Sequence, residues 1–196
     1  MSNLPGSKKQ LAAPSEQQIR AFLAIPPDRY AKAFLTDYQQ QLMGMRWSQG
    51  VRWVKPEQFH LTVRFLGDLS LLQIQELVNF ISQQSFSGHL SLTLTEPSLF
   101  PAQRPHTIVA RVPTTPELGE LVDRVEKCAQ SVGVAAERRK FRGHITLGRL
   151  KDARQGQPVL NCTPSQSFWT ATHLVLYQSN LTPQGAIYQQ LASWSF

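Results

Sequence analysis

An α+β fold is predicted by three features of the sequence. Short apolar or alternating runs bounded by Pro and Gly occur throughout the chain, as β-strands do. Three longer segments instead space their apolar residues at helical intervals. Their order is strand, helix, strand, helix, strands, then helix, strand, strands, which reads as two similar α+β halves. No stretch between the halves has the composition of a linker, so one domain is expected over 19–196.

Residues 1–18 lack a long apolar stretch and read as a flexible polar leader rather than a secretory signal. IRAFLAI (19–25), closed by Pro26 and Pro27, predicts a buried strand. A helix over 28–43 follows from Tyr30, Ala33, Phe34, Tyr38 and Leu42, with Asp28 as N-cap and Gly44 at its end. Trp47 and Trp53 fall in a loop or short strand, as anchors. FHLTVRFLGD (59–68) alternates as a strand. Leu72, Leu77, Phe80 and Ile81 predict a helix over 70–85, capped by Ser70. LSLTLT (90–95) reads as a half-exposed strand. Pro97, Pro101 and Pro105 predict loop, and 107–112 a further strand. A third helix is expected over 116–132, stopped by Gly133. GHITLGRL (143–150) is the next strand and 151–166 a polar loop. FWTATHLVLYQ (168–178) predicts one strand. A turn at 183–185 leads to the last, 187–196.

Composition narrows the function classes. The chain of 196 residues carries a formal charge of +7, which favours anionic partners, nucleic acid first. No apolar run reaches the roughly 18 residues that a membrane span needs. The two cysteines, Cys128 and Cys162, lack metal-type spacing and read as free thiols, as in a reducing cytoplasm.

The chemistry concentrates in the two strands that repeat His-x-Thr. Side chains alternate faces along a strand, so His60, Thr62 and Arg64 are expected on one face. Phe59, Leu61, Val63 and Phe65 then face the core. His144 and Thr146 repeat the device, opposite Ile145 and Leu147. Two imidazoles can divide acid and base work near neutral pH. Two hydroxyls can donate to oxygens that gain charge in a transition state. A phosphodiester suits this set, with one attacking oxygen, one leaving oxygen and two non-bridging oxygens.

Basic residues cluster around both motifs. Arg142, two residues before His144, and Arg64, beside His60, are candidate phosphate contacts, whereas Arg149 falls on the opposite parity. Tyr177 is a candidate stacking residue and His106 a candidate neighbour of the cleft. His89 and His173 lack the motif and are read as structural. No acidic or cysteine partner stands at ligand spacing, so no metal site is predicted.

These stretches resemble the two-histidine (2H) phosphoesterases, specifically the RNA 2′,3′-cyclic phosphodiesterases also called 2′-5′ RNA ligases. The resemblance rests on IRAFLAIP (19–26), RWVKPEQFHLTVRFLGD (52–68), ERRKFRGHITLGRL (137–150) and LVLYQSNLTPQGAIYQQL (174–191). It implies a bilobal α+β fold with two antiparallel sheets lining a central cleft and helices outside. It also implies catalysis by His60, Thr62, His144 and Thr146 without a cofactor. The reaction implied is hydrolysis of an RNA 2′,3′-cyclic phosphate end to a 2′-phosphate, with reversible 2′-5′ ligation of tRNA halves in some relatives. His144 is then the base and His60 the acid, although the symmetry of the motifs allows the reverse. A cytoplasmic monomer is expected. The chain departs from the family at Gln178, where Arg is frequent, and near His106, where no Trp follows. The alternatives are a cyclic phosphodiesterase for a small nucleotide, such as ADP-ribose cyclic phosphate, and a nucleotide-binding module without turnover.

Overall fold

The computed structural model of the protein describes residues 18–86, 89–152, 158–160, 166–183 and 185–196. The leader expected over 1–18 lies outside these apart from residue 18, and Cys162 lies outside them too.

The elements run β1 (Ile19–Ile25), α1 (Arg29–Met43), β2 (Val51–Trp53), β3 (Leu61–Leu69), α2 (Leu71–Ser82), β4 (Leu90–Leu94) and β5 (Pro97–Phe100). There follow β6 (Thr107–Arg111), α3 (Pro116–Ser131), β7 (His144–Leu150), β8 (Ser167–Ala171), β9 (His173–Thr182) and β10 (Gly185–Ser195). Each helix starts where a side chain takes an otherwise unpaired backbone N–H. Asp28 accepts from Ala31, Thr115 accepts from Leu118, and Ser70 forms a capping box with Gln73.

Seven strands form a path in the order β10-β9-β1-β3-β7-β6-β5, with β2 added beside β7, and every pairing is antiparallel. The link between β3 and β7 is narrow, Leu61 opposite Ile145. Beyond it β2 becomes the neighbour of β7, while β3 continues against β1. The two expected sheets are therefore two halves of one sheet, joined at a seam. β4 and β8 form a separate ribbon. The buried core lines one face of the large sheet, with Leu23, Ile25, Leu61, Ile108, Ile145 and Leu176 from both halves.

Three expectations need correction. The stretch 97–105, expected as loop, contains strand β5. It is the edge strand, and Pro97 is its first residue, a position where a missing N–H is tolerated. The single strand expected over 168–178 is two strands in different sheets, divided at Thr172, whose carbonyl accepts from the Phe196 N–H. Phe65, expected in the core, is 63% exposed. The cause is a pair of bulges in β3: Leu66 and Val63 find no partner in the register with β1. An unpaired residue shifts the alternation, so Phe65 turns away from the core and buried Leu66 takes its place.

Candidate active site

The face of the sheet away from that core carries the polar rows. Because Leu61 pairs with Ile145, the antiparallel register sets His60 opposite Thr146 and Thr62 opposite His144. The two imidazoles thus lie diagonally across the seam, each beside a threonine of the other half.

Both rings are fixed in the same way. His60 Nδ1 is 2.7 Å from the Gln58 carbonyl, and His144 Nδ1 is 2.7 Å from the Arg142 carbonyl. A carbonyl only accepts, so Nδ1 carries the proton in each neutral ring and Nε2 is left with its lone pair for a substrate. The three-residue helical turn Pro56–Gln58 positions the first carbonyl. The ring of His60 packs against Phe22 at 4.9 Å and edge-on to Tyr188 at 5.2 Å, while His144 stacks on Phe100 at 4.6 Å.

Both histidines are held below the ordinary value of 6.5, first by burial, which penalises the charged ring. The Nδ1 hydrogen bonds oppose this. The positive charge of Arg149 lowers both further, and that of His144 also lowers His60.

Arg149 therefore belongs to the cleft, against the parity expected for it. Leu147 is a bulge with no partner in β6, and it moves Arg149 onto the face of Thr146, opposite Thr107 and Arg52. The isolated Gly148 inside the strand pattern was the available signal. Arg64 moves the other way. The bulge at Val63 turns it to the helix side, where its Nε donates to Glu126 Oε2 at 2.5 Å and its Nη2 to the Ala135 carbonyl at 2.6 Å. It is not the phosphate contact that alternation predicted.

Tyr177 is 5.4 Å from Phe22 and lines a cavity of about 230 Å³ with His60, Gln58, Ile187 and Tyr188. Burial raises the phenol pKa of Tyr177, and that of Tyr188 as well. Tyr188, Phe22 and Phe100 were not anticipated, because a single aromatic in a strand looks the same whether it faces a core or a cleft. Arg142 is exposed beside His144. His106 sits in the β5–β6 turn, exposed, with its Nδ1 3.1 Å from the Arg104 carbonyl, and no described contact links it to either motif histidine. Among the described residues no group of three or more His, Cys, Asp or Glu is arranged to hold a metal ion.

The profile of a family described as LigT like Phosphoesterase matches residues 25–110 and 111–188. An RNA 2′,3′-cyclic phosphodiesterase of Methanocaldococcus jannaschii is 26% identical over 182 residues, 90% of this chain and 100% of that one. One of Aeropyrum pernix is 30% identical over 145 residues, 70% of this chain and 82% of that one. Among solved structures, TT0787 of Thermus thermophilus superposes with a TM-score of 0.79 at 22% identity, covering 90% of this chain and 97% of its own. Escherichia coli LigT complexed with 3′-AMP gives 0.75 at 20% identity, covering 91% and 98%.

Proposed function

Because the chain belongs to the LigT-like phosphoesterase family, we propose that it hydrolyses RNA 2′,3′-cyclic phosphate ends to 2′-phosphomonoesters, with His60, Thr62, His144 and Thr146 as its catalytic residues. The observation that carries this reading is the diagonal pair of imidazoles, each with Nδ1 tied to a carbonyl two residues earlier. Such a pair offers one Nε2 to each side of an in-line displacement.

His144 takes a proton from water as the water oxygen bonds to phosphorus. The bond from phosphorus to the 3′-oxygen breaks, and that oxygen takes the proton of His60. Thr62 and Thr146 donate to the non-bridging oxygens as these gain charge. What supports this assignment over the reverse is where the leaving oxygen stays. It remains on the ribose, and the cavity beside His60, with Tyr177 and Tyr188, is the side that can take the nucleoside. Arg149 supplies the counter-charge to the phosphoryl group. Two rings, two hydroxyls and one guanidinium make up the acid, the base and the anion donors, so the proposal needs no metal. The reverse reaction, in which a ribose 5′-hydroxyl replaces water and makes a 2′-5′ link, belongs to the same proposal.

The test is incubation with an RNA ending in 2′,3′-cyclic phosphate, with EDTA present, and mapping of the product. A 2′-phosphate is expected, and His60→Ala and His144→Ala should each lower the rate by about 10²- to 10⁴-fold. Near wild-type rates in both variants would end the proposal. A substrate with sulfur at the 3′-bridging position separates the roles, because its leaving group needs no acid. It should restore His60→Ala and leave His144→Ala slow.

A further inference from the structure

Beyond the pair Leu61–Ile145, a side chain of β3 reaches the segment between α3 and β7. Arg64 holds the two together, donating to the Ala135 carbonyl at 2.6 Å and to Glu126 at 2.5 Å. Glu126 also accepts from the Glu137 N–H at 3.0 Å. Along this segment Arg139 is engaged by Glu137 at 2.7 Å. Arg138, Lys140 and Arg142 are exposed and form no salt bridge among the described residues. The residue after Arg64 is Phe65, which faces away from the core and is 63% exposed in the middle of a strand that is not at the edge of the sheet. Its ring lies 6.1 Å from Phe22, which itself touches His60 at 4.9 Å.

We propose that Phe65 and the basic segment 138–142 form a second nucleotide subsite, in which the base upstream of the cyclic end stacks on Phe65 and its phosphate meets Arg138 and Lys140. This rests on the reading of the substrate as an RNA end and makes it more definite: the protein takes an oligonucleotide, not a free cyclic nucleotide. An exposed ring accepts the face of any base, and adjacent cations track the backbone, so the subsite is sequence-tolerant and salt-sensitive. The two surfaces divide the labour, base on the β3 side and phosphate on the side of the segment before β7.

The test compares adenosine 2′,3′-cyclic phosphate, which has no upstream base for Phe65, with a trinucleotide ending in the same group. The trinucleotide is expected to give the higher kcat/KM, and Phe65→Ala to lower the ratio of the two about tenfold. Phe65→Trp should keep the ratio. Exchange of Arg138 and Lys140 for Glu should lower it and flatten its dependence on salt. An equal ratio in wild type and Phe65→Ala, or no length preference in the wild type, overturns the subsite. Failure to hydrolyse either compound would count against the proposed reaction instead. The subsite would then be read from anisotropy of a labelled trinucleotide carrying a 2′-phosphate. About tenfold weaker binding to Phe65→Ala supports it, and unchanged binding overturns it.

Discussion

A buried histidine gives up its proton more readily than a free one, and this sets the pH behaviour of the site. Both His60 and His144 are lowered from 6.5 by burial and by the positive charge of Arg149. In the proposed mechanism the free enzyme has one ring neutral and one charged, so kcat/KM should peak between the two lowered values, on the acid side of pH 6.5. A bound phosphodiester anion favours the charged rings, so the optimum of kcat should lie higher than that of kcat/KM. Arg149→Ala removes a depressing charge, so the kcat/KM optimum should move up in pH while kcat/KM falls. Rate profiles from pH 4 to 9 would check both, and a wild-type kcat/KM optimum above pH 7 would contradict the argument. The pair His60 and His144 was legible because the motif occurs twice and its alternation holds locally. Arg64 and Arg149 were each assigned to the wrong face for one reason. Strict alternation fails once a residue is left over in the register, and Val63 and Leu147 are such residues.

At the scale of elements, the helices were legible because caps and periodicity act over one segment. Asp28, Ser70 and Gly133 perform the predicted roles, the last with φ +87°. Bulges were not, since they depend on what lies across the sheet. The bulge at Leu147 has an identifiable support in α1. Gln39 is only 4% exposed, and its Nε2 donates to the Leu147 carbonyl at 2.8 Å and the Val54 carbonyl at 2.7 Å. A Cβ on Gly148, the next residue, would stand 2.6 Å from Val51 Cγ1 and 2.9 Å from Trp53 Cε3, so β2 closes the bulge from the other side. We predict that Gln39→Leu destabilises the fold by about 2 kcal/mol, the cost of leaving the Val54 carbonyl unsatisfied, whereas the Leu147 carbonyl keeps the Val54 N–H at 2.9 Å. It should also lower kcat/KM through Arg149. Urea unfolding measures the first. For the second, Gln39→Leu combined with Arg149→Ala should cost less than the sum of the two. Strict additivity would mean that Gln39 supports the fold without orienting Arg149.

For the whole molecule, the question posed by two similar halves is whether they are two domains. The chain meets itself at the seam through a single described pair, Leu61 opposite Ile145, which alone would be a weak hinge. The core argues the other way. Buried side chains from both halves form one contiguous cluster that includes Leu23, Leu61 and Leu176 on one side and Ile108, Leu147 and Leu118 on the other. The α2–α3 contact also bridges the halves, since α2 follows β3 and α3 precedes β7. Two lobes with separate cores would each bury less apolar surface per residue and would open independently. One shared core makes opening of the cleft cost core contacts. We therefore propose that 19–196 is a single cooperative unit, with the catalytic seam at its middle. Unfolding followed by tryptophan fluorescence and by far-ultraviolet circular dichroism should give coincident transitions. The tryptophans sample both sheets: Trp53 beside β7, Trp169 in the β4–β8 ribbon and Trp194 in β10. Leu61→Ala, at a fully buried seam position, should lower stability by about 2 to 5 kcal/mol and shift both probes together. If it instead splits the curve into two steps, the halves are domains, and the distance between His60 and His144 is set by a hinge rather than by the core.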